Sequence, residues 1–340
     1  MRKLKWIALA AAVMMTITAL PVTALAKKKD STEDKTLSKV TLNEVAHSIF
    51  YAPQYVAIEE GYFEEEGLDL TLVTGFGADK TMTAVISGEA DIGFMGAEAS
   101  IYAYQEGATD PVMNFAQLTQ RAGNFLVARE EMPDFTWDDL KGKKVLGGRK
   151  GGMPEMVFEY ILKNNGLDPE TDLTIDQSID FGSTAAAFTG DTSADFTVEF
   201  EPSATLLEQE GTGYVVASLG TDSGYVPYTS YSAKASFLED HPKIIQKFTN
   251  ALQKGMDYVS THSPEEIATV IAPQFPETDL ATVTAIVTRY YQQDTWKDNL
   301  IFNEESFQLL QDILQDAGEL SRRTEYTDLV TTSFAQKAAS

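Results

Sequence analysis

Residues 48–70 read SIFYAPQYVAIEEGYFEEEGLDL. Ser48-Ile49-Phe50-Tyr51 is a polar and aromatic turn, and Pro53 suits the first turn of a following helix. The pattern predicts a helix over 53–60, with Tyr55, Ile58 and Tyr62 on one side and Gly61 as its C-terminal cap. Gly67 then opens a strand that carries Leu68, Leu70 and Leu72 on one face. Upstream, residues 40–46 alternate as a strand. The stretch therefore reads strand, turn, helix, strand, and the aromatic turn sits where a strand hands over to a helix. Such a spot is either a packing corner or the rim of a binding site.

The same grammar continues along the chain. Residues 79–87 are predicted helical, 91–95 a buried strand, and 98–106 a helix. In the middle, Lys144-Val145-Leu146 is a strand, 147–152 (GGRKGG) a flexible turn, and Pro154 starts a helix to about Asn164. Two landmarks recur. Gly67-Leu68-Asp69 returns as Gly166-Leu167-Asp168, and Ala90-Asp91-Ile92 returns as Ala194-Asp195-Phe196, at offsets of 99 and 104 residues. The near-equal offsets point to two similar lobes. Alternating β and α elements call for mainly parallel sheets covered by helices.

The last third is helical by pattern: 240–260, 264–272, 277–292 and 303–317. Asp240 or His241-Pro242, and Ser263-Pro264-Glu265-Glu266, are good helix starts. This block has no sheet of its own, so it is expected to pack on the first lobe. The expected layout is lobe I from 39–121 plus 228–336 and lobe II from 122–227. Two crossing segments, near 118–127 and 224–233, would form a hinge. The expected fold class is thus α/β, a two-lobed clamshell.

Composition limits the function. With 340 residues and 43% hydrophobic content, two packed domains are affordable. The formal net charge is −25 without an offsetting basic stripe, which argues against a nucleic-acid partner. Arg2, Lys3 and Lys5 precede an apolar run at 6–20 and the small-residue site Ala24-Leu25-Ala26, which reads as a cleaved export signal at 1–26. Cleavage would remove those three positive charges and leave −28. Residues 27–38 read as a flexible polar leader. The chain has no cysteine, which excludes disulfides, thiolate metal sites, cysteine nucleophiles and a lipid-attachment cysteine.

In open α/β sheets, ligands sit outside the carboxyl ends of the strands. That rule selects loops 47–53, 74–79 and 96–99 from one lobe and 147–154, 178–184 and 198–202 from the other. Gln120, Arg121 and Tyr228 join them from the hinge. Phe50, Tyr51, Phe76 and Phe181 either pack loop corners or stack on a ligand. Glu98 and Glu199, each following an apolar strand, either favour a helix N-terminus or meet a ligand. Gly77 could bring backbone N–H groups to a ligand. Arg149 and Lys150 are either a solvated turn or anion contacts, and Met153 closes that loop. His47 is a ligand hydrogen bond or a structural group. The three histidines have no zinc-ligand spacing, and no Gly-x-Ser-x-Gly, P-loop or dinucleotide fingerprint is present. No metal or cofactor is expected.

The stretches YAPQYVAIEEGYFEEEGLDLTLV, SGEADIGFMG, DDLKGKKV and VEFEPSATLLEQEG together resemble solute-binding proteins of bacterial ABC importers. The branch includes binders of thiamine pyrimidine precursors, riboflavin, and nitrate or alkanesulfonates. The resemblance spans Val40 to about Phe334. It implies the periplasmic-binding fold, a small-molecule ligand trapped between the lobes and a membrane permease as partner. The family's loop positions fall on Ser48 to Tyr51, Gly75 to Gly77, Gly96 to Glu98, the 148–153 turn and Glu199. Fungal pyrimidine synthases of this fold use a cysteine-rich motif that is absent here. The favoured reading is an exported, monomeric, non-enzymatic receptor for an aromatic heterocycle. Phe50, Tyr51 or Phe181 would stack on the ligand, and Ser48, Arg149 and Glu199 would orient it. Tyr51→Ala is then expected to weaken binding and leave the fold intact. The alternatives are a sulfonate or nitrate binder, an exported enzyme on the same fold, and a regulatory effector-binding domain.

Overall fold

Strand β1 (Ser38–Glu44) pairs in parallel with β2 (Leu68–Thr74) and with β3 (Ile92–Met95). These coordinates are a computed structural model; they describe residues 37–340 except Asp180 and the side chain of Phe181. The expected export signal lies outside the described residues. So does nearly all of the expected leader, whose last residue, Ser38, instead begins β1.

Two five-stranded mixed sheets carry the fold. The first has the order β2-β1-β3-β10-β4, with β4 at Val112–Thr119 and β10 at Thr229–Lys234. The second has the order β7-β6-β8-β5-β9. Its strands are β5 (Asn124–Ala128), β6 (Lys144–Leu146), β7 (Thr174–Asp176), β8 (Phe196–Phe200) and β9 (Tyr214–Ser218). In each sheet three parallel strands come first, and the fourth, β10 or β5, runs antiparallel to both neighbours. Both antiparallel strands begin just after the chain crosses between sheets, at 120–123 and at 219–228.

The recurring Ala-Asp landmark has a physical role. The Asp91 carboxylate accepts the Thr41 N–H of β1 at 2.8 Å, and the Asp91 N–H donates to the Thr41 carbonyl at 3.0 Å. Asp195 does the same with Lys144 of β6, at 2.9 Å for both bonds. One short acid thus staples the start of the third parallel strand onto the first in each sheet. Gly67 opens β2 directly, whereas Gly166 is followed by a turn, and β7 starts only at Thr174.

The C-terminal helices run Pro242–Thr261, Pro264–Ile271, Leu280–Gln292 and Glu304–Asp316. The first begins at Pro242 because the chain breaks at His241 after a short helix, Ala235–Asp240. Ser263 and Glu266 form the reciprocal cap that their spacing predicts, at 3.3 and 2.9 Å. The long helix buries Ile245, Phe248, Leu252, Met256 and Val259 on one stripe. It lies against the helix Ala52–Glu59 so closely that a Cβ on Gly255 would stand 2.2 Å from the Pro53 carbonyl oxygen. Only glycine permits that approach. Gly255→Ala is expected to destabilise the protein by about 1–3 kcal/mol through overpacking. Urea unfolding measures it, and an unchanged midpoint would contradict the close packing.

Candidate functional site

Glu44, at the end of β1, is fully buried and anchors the first loop. Its carboxylate accepts Gln54 Nε2 at 2.7 Å, the Tyr55 hydroxyl at 2.8 Å and the Thr74 hydroxyl at 3.1 Å. His47 Nδ1 sits 2.8 Å away, and His47 Nε2 meets the Gln274 carbonyl at 2.9 Å. The hydrogen bond to Glu44 leads in raising the His47 pKa, and partial burial opposes it. The Ser48 hydroxyl caps the turn Ile49–Tyr51 by accepting the Phe50 N–H at 3.3 Å. This turn holds Phe50 against Tyr228 and Tyr290, and Tyr51 edge-on to Phe94.

These rings face a cavity of about 790 Å³ between the two sheets. The first sheet contributes residues 45–51, the helix Ala78–Ser87, Gly96 and the helix Glu98–Gln105. The second contributes Arg149, residues 151–154, Gly182, Phe200, Glu201 and Ser203, and Tyr228 and Thr229 close the back. Of the residues singled out from sequence, His47, Ser48, Phe50, Tyr51, Glu98, Arg149, Met153 and Tyr228 border this cavity. Phe50 and Tyr51 are also buried core, at 1% and 4% exposure. Packing corner and cavity rim are therefore the same rings. Replacing Tyr51 with alanine removes core as well as wall, contrary to the expectation of an intact fold.

Phe76, Gly77, Gln120, Arg121, Lys150 and Glu199, all expected from the sequence, lie off the wall. Phe76 is 77% exposed with a φ of 56°. Its loop is pinned by Gly75 N–H to the Glu44 carbonyl (2.8 Å) and Gly77 N–H to the Val45 carbonyl (3.1 Å), which turns the Phe76 ring out to solvent and holds Gly77 behind the rim. Gln120 spends its amide on the Asp294 and Trp296 carbonyls at 3.1 and 3.4 Å. Glu199 does not follow its strand as Glu98 does: β8 runs through it and pairs it with Phe125. Its carboxylate is buried between the hydroxyls of Thr184 (3.0 Å) and Thr197 (2.7 Å). Burial raises its pKa to about 7. The side chain of Phe181 lies outside the described residues, although its neighbour Gly182 borders the cavity.

Among the wall residues that the sequence did not single out, two carry polar groups of note. Glu201 follows β8 and reaches the cavity, its charge matched by Arg289, which also pairs with Glu208. Tyr102 stands one helical turn after Glu98 on the same face, and that i, i+4 spacing was the available signal.

The electrostatics centre on Glu98. It starts its helix with the carboxylate folded back into the space a Gly96 side chain would fill, 2.1 Å from an ideal Cβ there. Glu98 Oε2 is buried without a hydrogen-bond partner, as are the hydroxyls of Tyr102 and Tyr228. Desolvation raises the Glu98 pKa from 4.5 to about 7, against the opposing pull of its own backbone N–H. Burial also pushes both phenols up, and the nearby Glu98 carboxylate adds to it. Buried polar atoms normally find partners. Three unpaired ones on one cavity wall form a ready-made polar contact set. Among the charged side chains of the wall, the acids Asp79, Glu98, Glu106 and Glu201 outnumber the basic Arg149 and His47.

Residues 49–267 match the family described as NMT1/THI5 like. The chain belongs to the NMT1/THI5-like family. YtlA of Bacillus subtilis (strain 168), whose name proposes a binding role and no ligand, is 46% identical over 91% of this chain and 92% of its own. The 4-amino-5-hydroxymethyl-2-methylpyrimidine phosphate synthase of Aspergillus parasiticus is 26% identical, covering 62% of this chain and 63% of its own. Among solved structures, the alkanesulfonate-binding protein SsuA from Xanthomonas axonopodis pv. citri, bound to MOPS, superposes with a TM-score of 0.69. It shares 15% identity, over 87% of this chain and 99% of that one. This likeness confirms the periplasmic-binding-protein fold.

A carboxylic acid with a raised folded pKa favours the folded state most below its unfolded pKa. That advantage is lost as pH rises from about 4.5 through 7. Glu98→Gln removes the effect, so the stability gap between variant and wild type should shift in the variant's favour by about 2–3 kcal/mol from pH 5 to pH 8. Urea unfolding at both values tests this, and a gap independent of pH would contradict the buried, unpaired carboxylate.

Proposed function

We propose that the protein is an extracytoplasmic solute-binding receptor of an ABC importer, and that its ligand is an aromatic heterocycle bearing N–H donors. One observation carries the ligand class: Glu98, Tyr102 and Tyr228 border a cavity walled by the rings of Phe50 and Tyr51, and each has a buried side-chain oxygen without a hydrogen-bond partner. A ring that enters between these side chains buries its faces on them and donates N–H groups to Glu98. His47, Ser48, Arg149 and Met153 complete the wall around it. A pyrimidine precursor of thiamine or a flavin has that chemistry. The receptor role draws support from the family, from YtlA and from the neighbouring binding-protein fold.

The mechanism follows from the topology. Among the described residues the chain crosses between the sheets twice, at 120–123 and 219–228, so closure needs backbone change at two short segments. Ligand contacts made by both halves favour the closed form, whose outer face a permease would read. We take lobe I as 39–121 plus 228–336, lobe II as 122–227, and the working form as a monomer exported by its N-terminal segment. Among the described residues no helix is long and apolar enough to cross a membrane.

Two other readings fit less well. An alkanesulfonate is the ligand that the name of SsuA gives, and Arg149 would serve a sulfonate or nitrate anion, but four acidic side chains share that wall. An enzyme of the synthase type is disfavoured by the lack of any cysteine.

Isothermal titration at pH 7.5 tests the ligand class. Either 4-amino-5-hydroxymethyl-2-methylpyrimidine or riboflavin should bind the wild type. Glu98→Gln should weaken that ligand by about tenfold or more, as expected for loss of a charged hydrogen bond. Tight binding of taurine or nitrate, with no heat from either ring compound, would refute it.

A further inference from the structure

The 147–152 turn reaches the ligand cavity through Arg149, Gly151 and Gly152, and Met153 and Pro154 follow it there. Behind the turn lies a second cavity of about 610 Å³, and Gly151 borders both. Glu155, on the next helical turn, is buried at 2% exposure. Its Oε2 accepts the Gly151 N–H at 3.0 Å, which ties the turn to the helix Met153–Asn164. Its Oε1 accepts Gln177 Nε2 at 2.6 Å, and the same amide nitrogen donates to Glu159 Oε1 at 3.0 Å. One amide thus holds two carboxyl groups together at i, i+4 spacing.

We propose that Glu155 is a positioning residue for the ligand turn, and that it holds the turn only while it shares a proton with Glu159. Two ionised carboxylates held this close repel, and the buried one, Glu155, also loses its hydration. A single proton between them turns repulsion into a hydrogen bond. The surroundings favour that proton. Facing the second cavity are Lys150 from the turn, Lys163 from the same helix, Asp168 and Glu170 from the loop after it, and Asp316 and Glu319 from the C-terminal block. Lys163 is committed to Asp316 at 2.9 Å, which leaves Lys150 against the remaining acids. Burial, then the hydrogen bond and charge of Glu159, raise the Glu155 pKa, and the Gly151 N–H and Lys150 oppose them. The second cavity gives solvent a route to the pair. When the shared proton leaves, the carboxylates part, the Glu155 end of the Gly151 bond moves with them, and the turn carrying Arg149 and Met153 loosens. The consequence for ligand release rests on the receptor reading above; the anchor itself does not.

Hydrogen exchange of the ligand-free protein tests the anchor without any ligand. The readout is the protection of peptides covering 147–152 at pH 6 and pH 9, corrected for the intrinsic exchange rate, with helix 242–261 as the folding control. Wild type should lose at least about tenfold protection in the turn between the two values. Glu155→Gln, which keeps an acceptor for Gly151 and cannot ionise, should stay protected at both. Glu155→Leu should be unprotected at both. Equal protection of the wild-type turn at both pH values, or a drop that persists in Glu155→Gln, would overturn the proposal. Should Glu155→Leu fail to fold, the glutamine variant decides it.

Discussion

The buried carboxylate of Glu44 is the junction on which the first half of the site depends. It collects hydrogen bonds from Gln54, Tyr55, Thr74 and His47, which belong to three separate pieces of the chain: the helix Ala52–Glu59, the end of β2 and the loop after β1. Gln54 passes the connection on, accepting the Tyr231 hydroxyl of β10 at 2.9 Å. His47 reaches the C-terminal block through Gln274. A buried charge that is fully hydrogen-bonded tolerates little displacement, because each lost partner leaves an unpaid desolvation cost. The aromatic turn at 49–51 is therefore held from behind, and its rings can face the cavity without needing a ligand to order them.

The contrast with Glu98 explains the division of labour. Glu44 has every oxygen paired and acts as scaffold. Glu98 follows β3, at the start of the helix Glu98–Gln105, and is buried with one oxygen unpaired. Satisfied polar groups build rigid structure, while unsatisfied ones store affinity for whatever completes them. Glu199 falls between the two: it is buried and bonded by two threonine hydroxyls, so it supports β8 and does not face the ligand space.

The fold was legible because it is written in local patterns. Strand and helix periods, proline starts and glycine stops placed most elements within a residue or two, and the Ala-Asp repeat marked the equivalent strands of the two sheets. The site was legible by loop and less so by residue. Ser48, Phe50 and Tyr51 were recognisable because they adjoin a strand end. Phe76 looked equally suitable, but backbone bonds of its glycine neighbours point its ring away, and no side-chain pattern encodes that. Glu201 was hidden by Glu199, since whether a strand ends at 198 or 200 decides which glutamate faces the cavity. The pairing of Arg289 with Glu201 joins residues 88 positions apart and leaves no local trace.

The central claim is that the cavity is completed by an aromatic ligand that donates N–H groups to Glu98. Its most direct test is mass spectrometry of the small molecule released on mild denaturation from protein purified without added ligand. The account predicts a nitrogen heterocycle with at least one N–H donor, retained by the wild type and lost from Glu98→Gln. Release of a sulfonate or nitrate anion, retained equally by both proteins, would contradict it.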